Sequence, residues 1–104
     1  MRGLALVFLV LSAPAAVAAD AAAMAAGKAL FLQGAVPACA ICHTLKDAGA
    51  EGAIGPVLDE LKPDAARVAK AIKNGIGQMP PYVNLSEQQI QALAAYVARA
   101  TGAK

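Results

Sequence analysis

The chain has 104 residues, a formal net charge of +2 and 59% hydrophobic residues, enough for one small domain and too few for two. Its basic residues are dispersed, and it has two tyrosines, two phenylalanines and no tryptophan, so a basic patch interleaved with stacking aromatics is missing and nucleic acid is excluded as a partner. Two cysteines and one histidine bound the thiol, imidazole and metal chemistry within reach.

The N-terminus reads as an export leader. Arg2 supplies a positive n-region, residues 4–11 an apolar h-region, and Ala16-Val17-Ala18-Ala19 a small-residue cleavage site. About eight strongly apolar residues followed by Pro14 are too few to span ~30 Å of hydrocarbon. Expected, therefore, are cleavage near Ala18/Ala19, a periplasmic mature chain and no stable membrane insertion. Residues 1–19 form the signal peptide and residues 20–104 one domain. Without Arg2 the chain keeps eight basic against seven acidic residues, a net +1.

Residues 21–33 are a run of strong helix formers leading to Gly34, a good residue for the position just past a helix. Gly27 and Phe31 in this helix would let another helix cross closely. The competing reading is a tolerated helix glycine costing ~1 kcal/mol.

The helix delivers the chain to Cys39-Ala40-Ile41-Cys42-His43, which holds both cysteines and the histidine. Two cysteines three positions apart on a helical turn project to one side, so both thiols can add to the two vinyl groups of one haem while the adjacent imidazole sits under the iron. This spacing reads as a covalent haem c attachment site, with His43 the proximal ligand. A closed zinc site needs four ligands where the motif supplies three. A thioredoxin-like redox pair would need a βαβ context, and the flanks are Ala-rich and helical in pattern. A disulfide between Cys39 and Cys42 would close a very short loop and leave His43 without a role. In a domain this short of large apolar side chains, a haem would also fill much of the core.

Residues 46–57 carry Gly49, Gly52, Gly55 and Pro56 and read as an irregular loop able to wrap a cofactor. A helix is predicted over residues 64–74, with Pro63 near its start, Val68, Ala69 and Ile72 at helical spacing and Gly75 as terminator. Lys62, Arg67, Lys70 and Lys73 cluster here as a solvated helix face. A second loop, residues 75–84, holds Met79, Pro80 and Pro81. In the last helix Ser86 and Gln89 make a capping box, Ile90, Leu93, Ala94 and Val97 form an apolar stripe with Tyr96 beside it, and Gly102 ends it.

A haem iron with one histidine needs a second axial ligand to exchange electrons with little rearrangement. Met1 leaves with the leader and Met24 lies in the first helix. Met79 is the remaining methionine, 36 positions after His43, in a loop that the two prolines restrict. An open coordination site or a lysine ligand stays as the alternative.

Together these residues resemble a class I cytochrome c of the small bacterial, monohaem type. The resemblance runs over residues 21–100 and rests on Gly27 and Phe31, the Cys39–His43 motif, Gly55-Pro56-Val57-Leu58, Asn74-Gly75-Ile76 leading to Met79-Pro80, and Leu93-Ala94-Ala95-Tyr96-Val97. It implies an all-α fold, a cytochrome c-like bundle of three to five helices around one covalently bound haem. It further implies that Cys39 and Cys42 hold the haem, that His43 and Met79 bind the iron, that the Pro56 carbonyl accepts from the His43 ring, and that Gly27 and Phe31 cross the last helix near Tyr96. The stretch between motif and Met79 is short for the family, so a middle helix is expected to be reduced.

With both axial positions filled, the expected work is one-electron transfer between redox protein partners through an exposed haem edge. The protein would be an electron carrier, not an enzyme. Val36, Pro37, Ala38 and Ile41 before the motif, with Pro80, Pro81, Tyr82 and Val83 after the methionine, form an apolar patch that either docks partners in small, transient contacts or merely shields the haem. Three other readings compete: a dedicated subunit or acceptor of a periplasmic oxidoreductase such as a sulfite dehydrogenase, a gas sensor or peroxidase in which Met79 does not ligate, and thiol-disulfide exchange.

Overall fold

The structure is a computed structural model, which describes residues 3–9 and 14–103. Arg2 and Leu11 of the expected leader lie outside the described residues. Residues 3–9 have no regular structure, and Leu4, Val7, Phe8 and Leu9 are exposed.

Helix α1 runs Ala15–Ala29 and continues into a π-helical turn, Leu30–Gly34. It starts six residues before the predicted position. Pro14 lacks the N–H that a helix interior needs, and the alanines that follow are the best helix formers, so nothing delays the helix beyond that point. The expectation for Gly34 is also corrected. Gly34 is not left-handed; the helix ends by widening, with the Ala35 amide donating to Leu30 O at 2.9 Å before Ala35 turns extended. By length and composition Ala15–Gly34 could cross a membrane, with a mean hydropathy of 1.5. Its buried positions, Gly27 and Phe31, are instead committed to the last helix.

The short helix α2, Cys39–Cys42, carries the cysteine motif. Residues 46–57 are not wholly irregular: strands β1, Thr44–Leu45, and β2, Ala50–Glu51, pair antiparallel around a 3₁₀ turn, Lys46–Ala48, with Thr44 opposite Glu51 and Leu45 opposite Ala50. Strands of two residues are too short for alternation to show in sequence. Leu45, fully buried, pins this hairpin to the core. A single turn, α3, Leu58–Leu61, follows, and is likewise too short to have a periodicity.

Helix α4, Ala65–Asn74, starts at the Asp64 cap, whose Oδ1 accepts from the Arg67 amide at 2.8 Å. Helix α5, Glu87–Ala100, has the expected capping box, with Ser86 and Gln89 bonded reciprocally at 2.9 and 3.1 Å. Lys73 and Glu87 pair at 2.7 Å and tie the end of α4 to the start of α5; accepting from Lys73, and then from Gln91, holds the Glu87 carboxyl below its usual range.

The largest fully buried side chains are Tyr96, Phe31, Leu45, Ile72 and Leu93. Tyr96, beside the apolar stripe of α5, is therefore itself part of the core. Helix α1 crosses α5 where Gly27 faces Tyr96: a Cβ on Gly27 would stand 2.2 Å from Tyr96 Cβ and 2.9 Å from Ala92 O. Phe31 meets the Tyr96 ring edge-on, with centroids 6.2 Å apart, a contact worth about 0.5–1.5 kcal/mol beyond its area. The Tyr96 hydroxyl donates to Asp47 Oδ2 at 2.6 Å and so joins α5 to the β1–β2 turn.

Gly27→Ala is expected to push α1 off α5 and cost about 1–3 kcal/mol or more of stability in denaturant unfolding. Burial, and next the bond to Asp47, raise the Tyr96 hydroxyl above its ordinary 10.0. Because the folded value exceeds the unfolded one, this contribution is complete below about pH 10 and is lost as pH rises further. Tyr96→Phe should accordingly cost about 1–2 kcal/mol at neutral pH and flatten the alkaline part of the stability profile.

Candidate functional site

A cavity of about 630 Å³ opens between α4, the end of α5, the α2 motif and the loop at residues 75–84. Cys39, Cys42, His43, Pro56 and Met79 all line it, as do Phe31, Leu58, Ile72, Leu93 and Val97 on the core side. Its volume is within the range of sites that bury an organic ligand. Among the described residues, Arg67 and Lys70 of α4 are the charged side chains on its wall, and no carboxylate lines it.

The motif is held by the chain that follows it. His43 Nδ1 donates to Pro56 O at 2.8 Å, which fixes the tautomer and leaves Nε2 with its lone pair free. Gly55 N donates to Cys42 O at 2.6 Å, Gly52 N to His43 O at 3.2 Å, and Thr44 Oγ1 to Gly52 O at 3.0 Å. These bonds lay residues 52–56 directly against the imidazole. Contact is so close that a Cβ on Gly55 would be 2.6 Å from His43 Cε1 and 2.9 Å from Nδ1.

Met79 reaches the same cavity from a tight turn in which Ile76 and Met79 exchange backbone hydrogen bonds of 3.0 and 2.9 Å. Tyr82 stands nearby, its hydroxyl donating to Pro37 O at 2.7 Å. Burial, the largest cause, pushes that hydroxyl above its ordinary value.

Among known proteins, the family described as cytochrome c oxidase, cbb3-type, subunit III matches residues 22–97. The chain belongs to the small monohaem class I cytochromes c. A solved relative, the c-type cytochrome SorU from Sinorhizobium meliloti, is 49% identical and superposes with a TM-score of 0.76 over 80% of this chain and 95% of its own. Among curated proteins, none matches the sequence.

As a c-type cytochrome the protein carries covalent haem c, and Cys39, Cys42 and His43 form the attachment motif. It is an electron carrier rather than an enzyme. The donor set fits the group: two unpaired cysteines and one oriented imidazole on a single apolar wall. Burial pushes the free Cys39 thiol up to about 11, opposed by a hydrogen bond to its backbone and helped by Cys42.

The structure places Cys39, Cys42, His43, Pro56 and Met79 around one cavity, whereas the sequence reading gave Gly55 no contact with the histidine and treated Tyr82 only as part of an apolar patch. The Gly-Pro pair, twelve and thirteen residues past the histidine, was the signal for the first. Nothing local marks Tyr82, whose partner lies 45 residues away. Of the expected patch, Val36, Ile41 and Val83 are exposed, whereas Tyr82 is half-buried.

Gly55→Ala is expected to displace the imidazole from Pro56, at about 1–3 kcal/mol of stability. Loss of the hydrogen-bonded Nδ1–H resonance and a lower yield of haem-loaded protein would report it.

Proposed function

We propose that this cytochrome is an exported carrier of single electrons, with His43 and Met79 as the two axial ligands, and that residues 1–19 are removed near Ala18/Ala19 to release it into the periplasm. The observation that carries the reading is that Cys39, Cys42, His43 and Met79, drawn from opposite sides of the chain, line one apolar cavity.

Bound haem c supplies a one-electron iron couple. Cys39 and Cys42 anchor it by thioethers, which do not dissociate when a small domain opens locally. His43, its Nδ1 committed to Pro56, offers Nε2 to the iron. Met79 offers a thioether, a ligand that raises the potential relative to nitrogen donors. With His43 and Met79 both given to the iron, the chain would leave it no vacancy for a substrate. Phe31, Leu58, Ile72 and Leu93 keep water from the inner wall.

Val36 and Val83, 82% and 83% exposed, stand with Ile41 and Pro80 beside the motif and the methionine turn. They suit brief encounters with redox protein partners, the kind that bury less than ~1,200 Å² in total. Co-elution of the exported protein with a single periplasmic oxidoreductase, a sulfite dehydrogenase for example, would convert the assignment to a dedicated subunit.

The test is the visible spectrum of the exported protein. Sharp reduced α and β bands with a weak sulfur-to-iron band at the red end of the oxidised spectrum are expected. Haem c bands without the sulfur band would overturn Met79 ligation in favour of a sensor or peroxidase. Met79→Ala should abolish the sulfur band, lower the reduction potential and leave the iron high-spin or bound to a surrogate ligand.

A further inference from the structure

We propose that Tyr82 is a positioning residue that latches the methionine loop shut across the mouth of the cavity. The inference rests on the reading of Met79 as the second axial ligand and identifies what decides how readily that ligand is displaced.

Residues 75–84 join α4 to α5. At their start the Gly75 amide donates to Ala71 O at 2.8 Å, and further on the Ile76–Met79 turn closes on itself with two backbone bonds. None of these bonds crosses the cavity. Left to them, the turn could peel away from α4 about Gly75 and take Met79 with it.

Residue 82 is held twice. Its amide donates to Ile72 O at 2.8 Å, which returns the loop to α4. Its hydroxyl donates to Pro37 O at 2.7 Å, two residues before Cys39. Among the described residues, this is the one hydrogen bond between residues 75–84 and the segment that leads into the cysteine motif. Tyr82 also borders both the main cavity and a smaller one of about 150 Å³ lined by Val36, Val83 and Leu85. The side chain thus ties the wall bearing Met79 to the wall bearing the cysteines.

Deleting one hydrogen bond of this kind shifts an open–closed equilibrium about three- to tenfold. Tyr82→Phe in the haem-loaded protein keeps the ring and removes only the hydroxyl. Imidazole is the probe, since it occupies the ferric iron only when the methionine has left. The variant should bind imidazole three- to tenfold more tightly than the parent, and its residue-82 amide should exchange hydrogen faster by the same factor. Tyr96→Phe, which loses a bond to Asp47 away from this loop, should destabilise the fold yet leave both readouts near the parent. Parental imidazole affinity together with a parental exchange rate in Tyr82→Phe would overturn the latch, as would equal changes in Tyr96→Phe. If the parent lacks the sulfur-to-iron band, the ligation reading fails separately, and the exchange rate at residue 82 alone then decides whether the latch exists.

Discussion

A cavity of about 630 Å³ in a domain this small constrains everything around it. At ~24 cal/mol per Å³, a dry void of that size would rival the whole folding free energy of a domain, about 5–15 kcal/mol. Either water or a bound group has to fill it, and the lining is chiefly apolar. The core proper, centred on Tyr96, Phe31, Leu45, Ile72 and Leu93, closes only one side. Attaching the cofactor through Cys39 and Cys42 makes the missing part of the core a permanent part of the chain.

The polypeptide side of that core depends on one crossing. Gly27 lets α1 approach α5 until the glycine meets Tyr96 Cβ, and Phe31, one turn on, meets the Tyr96 ring. The same ring carries its hydroxyl to Asp47, so the helix crossing and the β1–β2 turn share one residue. That turn in turn leads into residues 52–56, which hold the histidine. The Tyr96–Asp47 side-chain bond and the backbone bonds of residues 42–56 therefore connect the helix crossing to the loop that holds the imidazole.

The two walls of the cavity are built differently. The His43 wall is rigid: carbonyls and amides of residues 42–56 are bonded to one another, and glycine is required where the ring is met most closely. The Met79 wall is a loop between helices, anchored to α4 and joined across the mouth by a tyrosine hydroxyl. Under the proposed ligation, the rigid wall would hold the imidazole in place and the bonded loop would hold the thioether opposite it.

Local chemistry was legible in the sequence. The Cys39–His43 motif, the Ser86 capping box, the helix over residues 65–74 and the candidate methionine all follow from residue types at short spacings, because thioether attachment, capping and helical periodicity are properties of a few neighbouring residues. Tertiary structure alone decided the rest. The start of α1 at Ala15, its π-helical end, the two-residue strands and the single turn α3 carry no periodic signal. The Tyr96–Asp47 bond, the Gly55 contact and the Tyr82–Pro37 bond join residues far apart in the chain, and only packing brings such partners together. Composition and motif established that a cofactor was needed and where it would attach; the crossing of α1 on α5 and the fold of the two loops determined the cavity that receives it.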